Sequence, residues 1–342
     1  MTTTSISHDL RTLAKQFIAP KAPKELSKNF KLTDTTGIEE IISSLKRHYF
    51  TRSIWEGTLS SEDYLSSEDG RNDLLNHLEV RLNEFRQIII PWLNDTKPLL
   101  GASILEIGCG TGSSTVALAE QGAKITAVDI DEESLTVAKD RCGVYRLTVN
   151  FLKANGTEVY QLLKGQHFDF IIFFACLEHM TNDERLIALK DTWDMLPAGG
   201  LLCVIETPNR LWYYDDHTAH LPFYMWLPDK LAYLYSRKSP LKAFSNSYRE
   251  YSEKGMLSFL RHGRGVSFHE FDIAIKNVKD LNVVSCLPFY LRKNNILREL
   301  WCRTKSDAYY ESFIAKQAPG INRAFFQPSL DLIIRKEATF NS

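Results

Sequence analysis

Between residues 103 and 207 the chain alternates short apolar runs with stretches of helical spacing. The apolar runs fall at 103–108, 124–130, 149–155, 168–176 and 201–207 and have the length of strands. Helical patterns lie between them, most clearly from Asp183 to Leu196. Pro197-Ala198-Gly199-Gly200 reads as a turn that launches the fifth run. Strands alternating with helices predict an α/β fold, doubly wound, with a parallel sheet covered by helices on both faces.

The flanks have other patterns. Residues 1–35 are polar, with Pro20 and Pro23 near a basic stretch, and predict a loose arm. Ile38, Ile41, Ile42, Leu45 and Tyr49 follow helical spacing. So do Leu75, Leu78, Leu82, Phe85 and Ile89, and Pro91 is expected to stop that helix. Residues 1–100 are therefore an arm and a helical preface, and 101–207 the α/β core. Residues 208–266 carry Trp212, Tyr213, Tyr214, Phe223, Tyr224 and further aromatics, with scattered Arg and Lys. The stretch is too long for a plain loop and predicts a helical cap over the C-terminal ends of the strands. Residues 267–342 complete the core: a helix from Ser267 to Asn277, a sixth strand from Asn282 to Leu287, a helical insertion from Ile296 to Lys316, and a last strand from Ser329 to Lys336.

The chemistry concentrates in residues 104–112, Ile-Leu-Glu-Ile-Gly-Cys-Gly-Thr-Gly. A buried strand ends in Gly108, Gly110 and Gly112, and a helical run from Ser113 to Gln121 follows. Strand, glycine turn and helix is the construction of a nucleotide site. Glycine lets backbone approach a ligand without Cβ atoms in the way, and a helix N-terminus leaves N–H groups unpaired. The spacing departs from the dinucleotide pattern G-x-G-x-x-G, because Ser113 stands where its last glycine would be. Glu106, before the first glycine, is wrong for a pyrophosphate and right for a cationic ligand.

Glu106-x-Gly108-x-Gly110-x-Gly112 resembles motif I of the class I S-adenosylmethionine (SAM)-dependent methyltransferases. The resemblance implies a mostly parallel seven-stranded sheet of Rossmann-like type whose seventh strand is antiparallel. It implies SAM as cofactor, with the turn around Gly108, Cys109, Gly110 and Gly112 packing against the methionine portion and ribose. Asp129, at the tip of the second strand, would hold the ribose hydroxyls, and Ile130 would flank the adenine. Asn155, beside Gly156, stands where the family places a polar residue for the adenine amino group; it is equally a plain Asn-Gly turn. Glu106 would orient the loop or face the cationic end of the ligand.

The fourth strand runs into Phe174-Ala175-Cys176-Leu177-Glu178-His179-Met180, which resembles the motif IV region of small-molecule methyltransferases that act on quinone precursors. Phe174, Ala175 and Cys176 would pass the sulfonium by backbone. Methyl transfer to a hydroxyl needs alignment and a base. His217 is the first candidate, early in the cap beside Asp215 and Asp216; His269 and His179 follow. Each can equally be structural, stitching cap to core or orienting Glu178. Asp215, Asp216 and His217 are a conceivable metal set, but without a second ligand cluster no metal is expected. Arg210, Arg249 and Arg264 are candidates to hold a carboxylate or phosphate, or form a solvated face.

The expected activity is transfer of a methyl group to a hydroxyl of a small organic, lipid-linked or sugar-like acceptor. N-methylation of a peptide or protein and a non-catalytic partner of the same fold are the alternatives. Composition narrows the setting. In 342 residues, hydrophobic content of 44% supports a real core, and a net charge of -1 gives no reason to expect nucleic acid as partner. No apolar run approaches the roughly 18 residues of a transmembrane helix, and Met1 to Asp9 lack a signal pattern. The 6 cysteines are scattered without a Cys-x-x-Cys pair and read as small core residues in a reducing cytoplasm.

Overall fold

The computed structural model describes residues 35–51, 60–294 and 304–338. Seven strands form one sheet in the order β3-β2-β1-β4-β5-β7-β6. They are β1 (Ser103–Ile107), β2 (Lys124–Asp129), β3 (Asn150–Lys153), β4 (Phe170–Phe174), β5 (Leu201–Pro208), β6 (Asn282–Cys286) and β7 (Ser329–Arg335). The first five pair in parallel, and β7 runs antiparallel to both β5 and β6. The antiparallel strand implied by the family resemblance is thus present.

The central strands are mostly apolar because both faces are covered. In β4, Phe-Ile-Ile-Phe-Phe is buried at every position. Ile171 and Phe173 point into a core with Ala188 and Leu189 of the helix Asn182–Met195 and Phe271 of the helix Phe268–Ala274. Phe170 and Ile172 point the other way, toward Val116 and Ala117 and toward Ile88, Ile89 and Trp92 of the preface. The preface is therefore part of the fold. Trp92 is fully buried and donates its indole N–H to Ser285 Oγ of β6 at 2.7 Å.

Pro91 does not end the preface helix. Helical backbone runs unbroken over 68–96 and includes two π turns, Asn76–Val80 and Phe85–Ile89. Pro91 falls at the start of the segment Ile90–Thr96, directly after the second π turn. A wide turn re-registers the hydrogen-bond ladder, so a residue without N–H is tolerated at the opening of the next segment, as at a helix start. The expected arm lies outside the described residues up to residue 34, and the helix Thr35–Ser44 begins at its last position.

The cap carries the helices Asp229–Tyr235, Lys242–Ser247 and Glu253–His262. Tyr224, Tyr233, Phe244, Tyr248 and Phe259 pack on one another as its separate core. A short parallel bridge between Asn209 and Val266 closes the cap's base. In the C-terminal part, a helix Leu287–Asn294 starts directly after β6, and the helix Lys305–Gln317 covers the described end of the expected insertion. Cys109, Cys142, Cys176, Cys203 and Cys286 are free thiols, and Cys302 lies outside the described residues.

Candidate active site

The glycine turn is shaped by contacts on three sides. A Cβ on Gly108 would lie 2.5 Å from Cys176 Cβ, and one on Gly112 would lie 2.9 Å from Ala138 Cα. Both have positive φ, so the turn needs glycine there for conformation and for space. A Cβ on Gly110 would meet nothing within 4 Å, which leaves that side of the loop open for a ligand.

Glu106 does not face this opening. It is fully buried and accepts hydroxyls from Ser114 and, at 2.7 Å, Thr115, both in the first turn of the helix Ser113–Ala119. Burial raises its pKa to about 7; the two hydroxyls oppose the rise and the charge of Asp129 adds to it. Of the two roles expected, orienting the loop is the one its contacts fit. The Cys109 side chain is likewise buried in the core, and burial pushes its thiol well up.

Asp129 holds the turn from the β2 side. Its Oδ2 accepts the Gly110 N–H at 2.8 Å and its Oδ1 accepts the Asp131 N–H at 2.9 Å. A crevice of about 300 Å³ opens over Gly108, Gly110, Asp129, Ile130, Asn155, Gly156, Ala175, His179 and Arg261. Asn155 lines it, but its side-chain oxygen accepts from Thr157 N and Oγ1, the geometry of an Asx turn. Phe174 turns its ring into the core against Phe85, while Ala175, with φ of 41°, turns the chain along the crevice wall.

At the other end of the crevice β4 leads into the turn Leu177–His179. Glu178 is completely buried. Its Oε2 accepts from Thr207 Oγ1 at 3.4 Å, and its Oε1 has no hydrogen-bond partner among the described residues. His179 Nε2 and His217 Nε2 each lie 3.8 Å from that oxygen, and the two imidazoles are 5.8 Å apart between centroids. Asp215 does not orient the His217 ring as expected from sequence adjacency. Its carboxylate accepts the backbone N–H groups of His217, Thr218 and Ala219 and so shapes the loop. His269 lies in a different cavity, with Arg210, Leu211 and Trp226, and stacks on Phe268.

Three arginines reveal what sequence could not pair. Arg185 is buried and donates to the carbonyls of Leu177, Glu178, Arg264 and Gly265, tying the cap's return strand to the end of β4. Arg264 is equally buried against Asp229 and the carbonyls of Tyr224, Met225 and Leu227, so it braces the cap and is not a surface anion site. Arg261 lines the crevice, bonding the His179 carbonyl at 3.1 Å and the Glu184 carboxylate at 2.5 Å. No cap aromatic lines this crevice: Tyr224, Tyr233, Phe244, Tyr248 and Phe259 pack in the cap's own core, and Trp226 lines the cavity of His269.

The preface docks on the same edge. Arg141 is fully buried and donates to the carbonyls of Thr111 in the glycine turn and of His77 and Leu78 in the preface. His77 faces Thr111 Oγ1 at 3.2 Å, and burial with the nearby Arg81 and Arg141 charges lowers its pKa to about 3. Arg81 reaches across to Glu206 on β5 at 2.8 Å.

With this geometry in place, residues 104–200 match the family described as "Methyltransferase domain". That segment is a methyltransferase domain of the class I, SAM-dependent type. The chain is 32% identical over 130 residues to a protein of Coxiella burnetii named "Ubiquinone biosynthesis O-methyltransferase", covering 38% of this chain and 53% of that one. A protein of the same name from Pseudomonas aeruginosa is 27% identical over 129 residues, covering 38% and 54%. The chain thus spans about half the length of the curated relatives it matches. Among solved structures, a SAM-dependent methyltransferase from Clostridium acetobutylicum aligns with a TM-score of 0.37 and 19% identity, over 44% of this chain and 61% of the other.

Proposed function

We propose that the chain is a SAM-dependent O-methyltransferase whose acceptor is a hydroxyl of a small organic, lipid-linked or sugar-like molecule. The observation that carries this reading is the crevice running from the glycine turn and Asp129 to His179, behind which Glu178 and His217 sit 3.8 Å apart. Oxygen as the accepting atom is supported by the curated relatives' names, which describe O-methyltransferases.

The residues present fit SAM. The open side of Gly110 leaves room for a ligand against backbone, and a carboxylate with about four lone-pair sites can hold loop amides and ribose hydroxyls together. Ile130, half exposed beside Asn155 and Gly156, would cover the adenine. When bound, SAM supplies an electrophilic methyl on a sulfonium. The backbone of Phe174, Ala175 and Cys176 would run past that methyl, and the turn Leu177–His179 would present the acceptor. Arg141 braces the glycine turn against the preface, and Arg185 braces the turn after β4 against the cap, so both flanks would limit water over a bound ligand. The acceptor's proton would leave toward the histidine pair, with His217 the first candidate and His179 the second.

Incubation of the chain with labelled SAM and a small-molecule extract, followed by mass identification of the labelled product, tests the reading. The expected product carries a new O–CH₃ group. Label found only on peptide nitrogen, or no transfer at all, would replace it. His217→Ala should lower turnover by roughly 10²–10⁴-fold with little change in SAM affinity, as for a lost proton acceptor.

A further inference from the structure

We propose that Glu178, His179 and His217 form a divalent transition-metal site at the acceptor end of the crevice. Three observations point there independently of the methyltransferase motifs. Glu178 is completely buried, and its Oε1 lacks a hydrogen-bond partner among the described residues, an arrangement that costs free energy unless something else occupies the oxygen. Both histidines aim Nε2 at that same oxygen from 3.8 Å. The three ligand atoms all lie within 4.8 Å of one another.

A zinc-class ion bonds imidazole nitrogen at about 2.0–2.1 Å and carboxylate oxygen at about 2.0–2.2 Å, which places tetrahedral ligand atoms some 3.3–3.6 Å apart. Contraction by a few tenths of an ångström brings Oε1 to that spacing from each nitrogen, and rotation of the two imidazoles, whose ligand atoms start within 4.8 Å of each other, would close the nitrogens on the ion. The histidine side chains are 42% and 34% exposed, so they can make that shift and leave coordination positions open. Nitrogen from two imidazoles with one carboxylate is the donor chemistry of zinc, iron and cobalt, in preference to magnesium or calcium.

The far side of each ring is anchored, as metal-bound imidazoles require. His179 Nδ1 lies 2.9 Å from the Arg261 carbonyl, and His217 Nδ1 lies 3.0 Å from Thr218 Oγ1. With Nδ1 protonated toward the carbonyl, Nε2 of His179 is left as the ligating lone pair. The open positions would take an oxygen ligand, a water or the acceptor hydroxyl. A cation bound to that hydroxyl would hold it and lower its affinity for its proton, which would then pass to water in the crevice, the two imidazoles acting as ligands in place of the proton-acceptor role given to them above. This use rests on the methyl-transfer reading; binding of the ion does not.

The test is titration of the full chain, first stripped with a chelator, with Zn²⁺ by calorimetry and with Co²⁺ by its visible d–d absorption. One equivalent should bind, and the Co²⁺ spectrum should be that of a low-coordinate nitrogen and oxygen site. His179→Ala and His217→Ala should each weaken binding at least tenfold, while His269→Ala leaves it unchanged. Glu178→Gln should do the same if it folds; the two half-exposed histidines keep the test decisive if it does not. Absence of saturable binding, or binding unaffected in the His179→Ala, His217→Ala double variant, overturns the site. SAM affinity measured on the same samples separates the two proposals: SAM bound without metal sinks only the metal site, and metal bound without SAM sinks only the transferase reading.

Discussion

At the scale of single residues, two carboxylates before and after the glycine turn have divided the work. Asp129 faces the ligand side while bonding Gly110, so Asp129→Ala removes ligand contacts and loosens the loop together. Loss of charge-assisted bonds of this kind costs about 1.5–3 kcal/mol, a roughly ten- to hundredfold weaker SAM affinity, measurable by calorimetry on a folded variant. Glu106 works inside the protein. Its pKa is raised from 4.5 to about 7, so the native state binds a proton that the unfolded chain has released. Stability from this residue therefore falls as pH rises from about 4.5 to 7. Glu106→Gln should flatten that part of the stability–pH curve, and denaturant unfolding at a series of pH values would show it; an unchanged slope would place the titration elsewhere. The glycines, Asp129 and the strand around them were legible because local spacing dictates them. The inward turn of Glu106 was not, because Ser114 and Thr115 meet it only once the helix has formed.

At the scale of elements, the join between preface and core depends on Arg141. Its guanidinium satisfies carbonyls from the glycine turn and from the preface, and burial lowers its pKa only to about 10, so it stays charged. Arg141→Leu leaves those buried acceptors unpaired and should cost about 2–4 kcal/mol, with SAM binding weakened because the turn loses its brace. A lowered denaturant midpoint at constant slope is the expected result, and an unchanged midpoint would show the preface held by packing alone. The cap behaves differently. Phe259 is buried among Tyr224, Tyr233 and Tyr248, away from the crevice. Phe259→Ala should cost about 3–5 kcal/mol while SAM affinity in the folded protein stays level. The helical character of the preface was readable from apolar spacing, and that of the cap from its length. The passage of helix through Pro91 was not, because a π turn is a property of the packed helix, not of one residue.

At the scale of the whole molecule, the sheet and Arg261 of the cap line one crevice and the preface is tied to its glycine turn through Arg141, so a ligand there should order all three. SAM at a hundred times its dissociation constant should raise unfolding free energy by about 2.7 kcal/mol. It should also slow amide exchange in 77–81 and 261–266 together with the glycine turn, since Arg141 and Arg185 tie these segments to the crevice. Protection confined to 104–130 would show that the flanks do not close on the ligand. What sequence alone determined is the alternation of strands and helices that makes the parallel core, its glycine turn and the acidic tip of β2, where local periodicity and turn chemistry act. Tertiary structure alone decided that Glu178 is sealed under Thr207 and faced by a histidine 39 positions away, that Arg185 and Arg264 serve carbonyls, and that the cap aromatics pack on each other. The physical reason is desolvation. A charged or polar group taken out of water must find its partner among whatever the fold brings near, and nothing in the local spacing names that partner.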